Sequence, residues 1–292
     1  MGSQLIYYGR RLATEALMFP KYKMRCGSRT VSIPACLRES SRLVRDWKPG
    51  CKTKIMQQYT SIKSGTFIDV GTNIGDTLLD FISVAGPDSQ YVGFEANPVS
   101  ARTISSLIAT NQLDNALLVP VGLSNRTGLL ELLTRTGHPS DAAATLLQGV
   151  RPNLEYDRQL VPCFRFSDIA DDLKINTISL IKIDVEGAEL LVLQGMRETL
   201  IQDRPPVICE VLHRDKGADP KAYSAHLSGL QALLLEVRYS VFRIERMNND
   251  IDTSVSYSRC SAFPDLIYGN ESANLCDYLF LPSEHQLPSG PA

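Results

Sequence analysis

The sequence lacks the long apolar run that a membrane-spanning helix requires. Such a helix needs about 18 consecutive apolar residues, and no stretch of the 292 residues comes near that length. The first residues carry Arg10, Arg11 and Glu15 among their apolar positions, which does not fit a signal peptide. Ile6 stands where the myristoylation pattern needs Ser or Thr. We therefore expect a cytoplasmic protein, with peripheral attachment to a membrane left open.

Paired cysteines and clustered metal ligands are also missing. The seven cysteines contain no C-x-x-C pair, and only four histidines are present. This pattern is typical of reduced thiols in a reducing compartment. It gives no indication of a zinc site, and we predict that the protein holds no metal.

Charge is unevenly distributed along the chain. Residues 1–63 contain 13 Lys and Arg against 3 Asp and Glu, whereas the remainder contains 17 against 29. This basic N-terminal extension can bind an anionic membrane surface or an acidic glycan carrier, or it can pack against the acidic remainder of the same chain. Because there is one tryptophan and no recognised binding motif, nucleic acid is not predicted as a partner.

The segment Phe67–Thr77 predicts a buried strand, a tight turn and the start of a helix. Its sequence is FIDVGTNIGDT, with Gly71 and Gly75 in the turn. A dinucleotide-binding turn has the pattern G-x-G-x-x-G, but Asn73 and Asp76 occupy the second and third glycine positions. The turn is therefore poorly suited to a pyrophosphate, while free N–H groups at a helix start still suit a carboxylate.

S-Adenosylmethionine has an adenosine and a carboxylate but no phosphate, and it fits the other features of this region. Asp69 ends the first strand, where it can face the ammonium group of that cofactor. Glu95 ends the next strand, where it can accept hydrogen bonds from both ribose hydroxyls. We predict that six residues bind the cofactor: Asp69, Gly71, Asn73, Gly75, Glu95 and Asn97. The alternative is that Asp69 and Glu95 only cap turns.

A third motif, KIDVEGAE over residues 182–189, follows FIDVGTNIGDT and FEANP in the sequence. With these motifs in this order, the chain resembles the FkbM family of S-adenosylmethionine-dependent methyltransferases from about Gly65 to Phe280. KIDVEGAE is the more specific part of the match, since all class I methyltransferases share the glycine turn. The resemblance implies a seven-stranded Rossmann-like sheet and, usually, O-methylation of a hydroxyl on a sugar or natural product.

Strand-like and helix-like segments alternate through this region, as an α/β fold with helices on both faces of the sheet requires. We predict a methyltransferase domain over residues 64–281. It is preceded by the basic, partly helical extension 1–63 and followed by a flexible tail, 282–292.

Less regular stretches are predicted on either side of the sheet segments. In the extension, apolar spacing predicts a helix at residues 5–16, and residues 26–63 are interpreted as a linker with one helix near 37–47. The stretches 135–165 and 247–276 are long for loops in a compact domain. We predict that both of them contact the substrate.

Asp184 and His213 follow the fourth and fifth predicted strands and so lie at the edge of the sheet that holds Glu95. Methyl transfer to a hydroxyl requires an aligned acceptor and a base for its proton. We predict that His213, with an ordinary pKa of about 6.5, accepts the proton, and that Asp184 orients the acceptor or serves as the base. The alternatives are an ordinary loop around His213, or a magnesium site in which Glu186 and Glu210 join these two residues.

The sequence thus predicts an S-adenosylmethionine-dependent O-methyltransferase that acts on a hydroxyl of a sugar, glycolipid or natural product. An NAD-dependent oxidoreductase is the second hypothesis, disfavoured by the missing glycines. A non-catalytic cofactor-binding protein of the same fold is the third. The remaining histidines are predicted to be exposed and without partners: His138, His226 and His285.

Overall fold

The computed structural model describes residues 21–34, 38–59, 62, 64–175, 177–247, 254–269, 272 and 275–288. The helix predicted at residues 5–16 lies outside the described residues, as does the end of the predicted tail. The strands are, in chain order, β1 (Lys21–Cys26), β2 (Arg29–Pro34), β3 (Thr66–Val70), β4 (Gln90–Phe94), β5 (Ala116–Val119), β6 (Gly122–Leu123), β7 (Gly128–Arg135), β8 (Tyr156–Phe164), β9 (Ile178–Ile183), β10 (Val207–Glu210), β11 (Tyr239–Met247), β12 (Ser254–Cys260) and β13 (Asp277–Pro282). The α-helices are α1 (Arg38–Asp46), α2 (Cys51–Gln58), α3 (Asp76–Val84), α4 (Pro98–Thr110), α5 (Glu189–Gly195), α6 (Arg197–Gln202) and α7 (Pro220–Glu236).

The central sheet of the described chain has the strand order β12, β11, β13, β10, β9, β3, β4, β5. The five strands from β10 to β5 are parallel, and β13 runs antiparallel to both of its neighbours. Strands β3 and β9 are buried along their whole length, as expected for a parallel sheet covered on both faces. This arrangement confirms the predicted α/β class I methyltransferase fold.

The sheet has eight strands where seven were predicted, because β12 pairs with β11 at one edge. This strand lies inside the stretch 247–276 that was interpreted as an irregular loop. Its sequence, SVSYSRC, is mostly polar. An apolar alternation, which is the usual sequence signal of a strand, is therefore weak here.

The stretch 135–165 also contains regular structure. Strand β8 pairs antiparallel with β7 and parallel with the short β6, which gives a separate three-stranded sheet. Most residues of β8 are exposed or half-buried, so its sequence carries little of the apolar pattern that marks a strand. Within this predicted loop, residues 136–155 and Arg165 lie outside the named strands and helices.

The prediction of a linker over residues 26–63 is wrong for the residues of this range that the structure describes. Strands β1 and β2 form an antiparallel hairpin, and α2 follows the one helix that was predicted. Buried side chains of β2 and α2, among them Ile33 and Met56, share one apolar cluster with the sheet, and so does Trp47, which follows α1. The same cluster contains Phe67 of β3 and Leu279 of β13. The described part of the extension is therefore packed on the sheet.

Local sequence signals set the starts of the two longest helices. The side chain of Asn97 accepts a hydrogen bond from the N–H of Val99 at 2.9 Å, and proline follows as the first residue of α4. Asp219 accepts from the N–H of Lys221 at 2.9 Å at the start of α7, again before a proline. Both arrangements satisfy N–H groups that have no partner inside the helix. None of the described helices has the length and apolar character needed to cross a bilayer.

Candidate active site

The turn after β3 depends on a glycine at position 71. Gly71 has a φ of +81°, a region that side chains with a Cβ rarely adopt. A Cβ at this position would lie 1.8 Å from the backbone oxygen of Asp184. The turn therefore packs directly against the end of β9, and this close approach brings the FIDVGTNIGDT and KIDVEGAE motifs together.

Glu95, at the end of β4, connects this turn to the next helix. Its Oε2 accepts a hydrogen bond from the N–H of Asn73 at 2.7 Å, and its Oε1 accepts one from the N–H of Asn97 at 2.7 Å. Burial raises the pKa of Glu95 to about 7, although the two backbone N–H groups oppose this shift. Each oxygen retains a lone pair for a further donor.

Glu95 lines an open cleft of about 600 Å³ at the carboxyl ends of β3, β4 and β9. Gly71, Asn73 and Asp184 line it too, and its apolar wall includes Phe94 and Leu132. The side-chain Oδ1 of Asn73 is buried and has no hydrogen-bond partner in the described structure. A buried acceptor without a partner is costly, so this atom is suited to a donor group on a ligand.

Two of the predicted cofactor residues, Gly75 and Asn97, do not line this cleft but stabilise the elements next to it. Gly75 starts α3 with a φ of +106°, and a Cβ there would lie 3.2 Å from a methyl carbon of Leu107 on α4. Asn97 caps α4 and also donates from Nδ2 to the backbone oxygen of Pro139 at 2.8 Å. Both residues hold elements together at the rim.

Asp69 also differs from its predicted position, because its carboxylate faces the protein interior. The side chain is fully buried. Its Oδ2 accepts a hydrogen bond from the hydroxyl of Tyr91 at 2.6 Å, and its Oδ1 lies 3.4 Å from Nζ of Lys182. This geometry does not favour the predicted contact between Asp69 and the ammonium group of the cofactor. Asp69 instead holds Lys182.

Lys182 joins three parts of the rim. Its Nζ donates to the backbone oxygen of Gly71 at 3.1 Å and lies 3.2 Å from a carboxylate oxygen of Asp184. Burial acts to lower the pKa of Lys182, but Asp184 and Asp69 more than offset this and raise it above its usual value. A permanently charged Lys182 therefore fixes both the glycine turn and Asp184.

Asp184 stands among two further carboxyl groups with perturbed pKa values. Burial acts to raise the pKa of Asp184, but the charge of Lys182 more than offsets this and holds it below its usual range. The charge of Asp184, together with burial, raises the pKa of Glu210 to about 8. Burial and the same charge raise the pKa of Glu186 to about 7, even though Glu186 forms an ion pair with Arg151. Perturbed carboxyl groups of this kind are typical of functional sites.

His213 lines a second cavity, whose walls come from residues 147–152, residues 212–219 and the start of α7. The side chain is buried, and its ring lies against the backbone of Ser272 and Leu275 without a hydrogen bond of full geometry there. Burial lowers the pKa of His213, so the ring is neutral at neutral pH. Asp184 lines the first cleft and His213 the second, and the structure thus places the two predicted catalytic residues in neighbouring cavities.

His226 was predicted to be exposed and without a partner, and this prediction is wrong. It is half-buried on α7, lines the second cavity, and its Nε2 lies 3.4 Å from Oε2 of Glu189. Glu189 is fully buried at the start of α5 and also accepts a hydrogen bond from the N–H of Gly187 at 2.7 Å. The contact depends on the packing of α5 against α7, which no local sequence pattern indicates.

Metal ligands are not grouped within the described part of the chain. No set of three or more His, Cys, Asp and Glu side chains there has the arrangement of an ion site.

Comparison with known proteins gives two matches of the sequence. A sequence model for the methyltransferase FkbM domain matches residues 69–241. The 2-O-methyltransferase NoeI of Sinorhizobium fredii (strain NBRC 101917 / NGR234) is 27% identical over 187 residues, which are 60% of this chain and 75% of NoeI.

Solved structures include two that are similar to this chain at low identity. The methyltransferase FkbM from Methylobacillus flagellatus KT is 16% identical with a TM-score of 0.43, and the match covers 75% of this chain and 44% of that chain. A SAM-dependent methyltransferase from Aquifex aeolicus is 13% identical with a TM-score of 0.40, over 70% and 86% of the two chains. This chain therefore spans less than half the length of the Methylobacillus protein.

The segment matched by the FkbM model spans more than half of the 292 residues. It contains the glycine turn, Glu95 and the KIDVEGAE motif, which the fold brings to one rim of the sheet. This protein therefore belongs to the methyltransferase FkbM domain family.

Proposed function

We propose that this protein transfers a methyl group from S-adenosylmethionine to a hydroxyl of a sugar, glycolipid or natural product. The observation that carries the proposal is the position of Glu95, buried at the end of β4 with both carboxylate oxygens held by backbone N–H groups beside the glycine turn. The name of the relative NoeI, a 2-O-methyltransferase, supports a hydroxyl as the acceptor group.

The cleft fits the chemical groups of S-adenosylmethionine. Glu95 would accept the two ribose hydroxyls, and the buried Oδ1 of Asn73 would accept a donor from the amino-acid part. Gly71 leaves the turn open to that part, while the apolar wall formed by Phe94 and Leu132 suits an adenine ring. When bound, the cofactor supplies an electrophilic methyl group on a positively charged sulfur.

The protein's own residues then align the acceptor, exclude water and take up one proton. His213 is neutral because burial lowers its pKa, and its ring nitrogen receives the proton of the acceptor hydroxyl. Asp184 is ionised because of Lys182 and accepts a hydrogen bond that orients the acceptor. The lowered pKa of Asp184 favours its charged form, which suits this hydrogen bond.

Isothermal titration calorimetry with S-adenosylhomocysteine and NADH tests this assignment. We expect S-adenosylhomocysteine to bind more tightly than NADH, and Glu95→Ala to weaken its binding by at least about tenfold, since charged hydrogen bonds are lost. Asp114→Ala, an exposed carboxylate just before β5, is the matched control and should change nothing. Tighter binding of NADH would favour the oxidoreductase, and an unchanged affinity of the Glu95 variant would contradict the ribose contact.

A non-catalytic protein of the same fold would pass this binding test. Transfer of a labelled methyl group from S-adenosylmethionine to hydroxylated acceptors separates the two hypotheses. Binding without transfer to any acceptor would favour the non-catalytic protein.

We also propose that the basic N-terminal segment binds an anionic membrane surface. The hairpin of β1 and β2 exposes Lys21, Lys23, Arg25 and Arg29 on one small element. Arg42 lies 3.7 Å from Asp76 in the acidic remainder. The four basic side chains of the hairpin are exposed, which supports an external partner.

A further inference from the structure

The cofactor cleft and the second cavity share the same two walls. Leu146 lines the cleft and its neighbour Leu147 lines the second cavity. In the same way, Glu186 lines the cleft and Gly187 lines the second cavity. Two separate segments therefore lie between the cavities, and each contributes consecutive residues to both. A ligand in the second cavity would lie next to a ligand in the cleft.

The second cavity is the larger of the two and is mainly apolar. Its volume is about 1070 Å³ including its mouth. Six apolar residues line it: Leu147, Val150, Pro152, Leu212, Ala218 and Ala222. Leu147, Val150 and Leu212 are only half-buried. Apolar side chains around an open space of this size are typical of a site for a ligand with apolar surface.

Two glycines let the loop over this cavity pack closely. A Cβ on Gly187, which has a φ of +105°, would lie 3.1 Å from a methyl carbon of Val150. A Cβ on Gly217 would lie 2.8 Å from Nδ2 of Asn153 and 3.0 Å from a ring carbon of Pro152. The loop is thus fixed at both ends of the cavity, and the cavity is a built feature of the fold.

The polar side chains that line this cavity are Gln148, His213, Arg214, Asp219, Tyr223 and His226. His213 is buried, with its ring against the backbone of Ser272 and Leu275, and His226 lies beside Glu189. No Lys lines the cavity within the described chain, and Arg214 already faces Asp265 at 3.4 Å.

We propose that the second cavity binds an acceptor with a large apolar portion, such as an acyl chain or a polyketide, and places one of its hydroxyls at His213. This inference rests on the proposed function for the position of the methyl donor. It narrows the substrate class, because a free sugar would leave the apolar walls of the cavity without contacts.

Two glucosides with the same head group test this proposal. The affinities of n-octyl β-D-glucoside, below its micelle concentration, and methyl β-D-glucoside are measured by calorimetry on the full chain saturated with S-adenosylhomocysteine. We expect the octyl compound to bind at least about tenfold more tightly, since several methylene groups leave water. Ala218→Glu places a carboxylate in the cavity and should remove this difference. Ala225→Glu, at an exposed position on α7 that does not line the cavity, is the matched control and should keep it.

The outcomes separate this inference from the proposed function. Equal affinity for the two glucosides, or an octyl preference that persists in Ala218→Glu, would overturn the apolar acceptor site. Failure of S-adenosylhomocysteine to bind would instead overturn the proposed function. In that case the glucoside comparison, repeated without it, still decides whether the cavity is an apolar site.

Discussion

Glu210 and Asp184 end neighbouring parallel strands, and their carboxyl groups cannot both be charged without cost. The structure resolves this by the position of Lys182, which lies 3.2 Å from Asp184 and keeps it ionised. Glu210 then retains a proton, because its pKa is raised to about 8 by the charge of Asp184 and by burial. A carboxyl group that is neutral when folded and charged when unfolded makes stability depend on pH.

The stability of the protein should fall as the pH rises from about 5 to about 8. In this range the folded state holds a proton on Glu210 that the unfolded state, with an ordinary pKa of about 4.3, has released. The glutamine side chain of Glu210→Gln stays neutral at every pH, so the free energy of unfolding of this variant should fall less steeply than that of the original protein. The two slopes should differ by at most about 1.4 kcal/mol per pH unit for one proton. Urea unfolding at both ends of the range measures this.

Glu95 and Glu186 also have a raised pKa and should leave part of the slope in the Glu210→Gln variant. Glu198→Gln, at an exposed position on α6, is the control and should follow the original protein. A variant of Glu210 with the same pH dependence as the original would contradict the raised pKa.

At the residue scale, the sequence allowed us to locate residues that stand at the end of a single strand or in the turn that follows it. Glu95 and Gly71 line the cleft, and their contact with a cofactor stays a prediction. Their places at a strand end and in a glycine turn follow from local signals. The inward orientation of Asp69 was not predictable, since it depends on the register that places Asp69 opposite Lys182 of β9. It also depends on Gly93, whose missing Cβ leaves the space that Tyr91 occupies.

At the element scale, the strand–turn–helix unit around Gly71 has no space for a side chain at position 71. Gly71→Ala should destabilise the protein by at least about 3 kcal/mol, because a backbone oxygen stands where the Cβ would be. Gly137→Ala is a matched control with a φ of +78° and no atom within 4 Å of the added Cβ. It should lose only about 1 kcal/mol, the cost of the left-handed backbone.

Chemical unfolding of both glycine variants measures this difference. A Gly71 variant that yields no folded protein, beside a folded Gly137 variant, agrees with the expectation. Equal stability of the two would show that the turn can move away from β9.

The elements that sequence reasoning missed are those with weak apolar patterns. Strands β3 and β9 are apolar and buried, and α4 and α7 begin with proline, so the sequences of these elements carry strong local signals. Strand β8 is largely exposed, and β12 is largely polar. The hairpin of β1 and β2 has several charged residues on its exposed positions. In each case, pairing with a neighbouring strand and packing on other elements stabilise the element.

At the scale of the whole molecule, the separation of charge between residues 1–63 and the remainder is the main feature that the proposed reaction leaves unexplained. We expect the full chain to bind vesicles that contain phosphatidylserine and not vesicles of phosphatidylcholine alone. Binding should weaken as salt is added, because exposed charges are screened. Co-sedimentation with each type of vesicle measures this.

Charge reversal on the hairpin locates the contact. The double variant Lys21→Glu and Lys23→Glu should lower vesicle binding by at least about tenfold, since each basic residue near the surface contributes about 1 kcal/mol. The same reversal at Lys216 and Lys221, two exposed positions in the acidic remainder, is the control and should have a smaller effect. Equal binding to neutral and anionic vesicles would contradict the proposal.

The apolar cluster that joins β2 and α2 to β13 brings together elements that are far apart in the sequence. Tyr257 of β12 also donates a hydrogen bond to Gln58 of α2. A nascent chain that emerges from the ribosome presents the hairpin and α2 long before these late strands exist. Contacts between such distant segments are slow to form. The hairpin and α2 therefore complete their packing only after β13 has been synthesised, and a chain cut short before β13 would leave the apolar surface of these elements exposed.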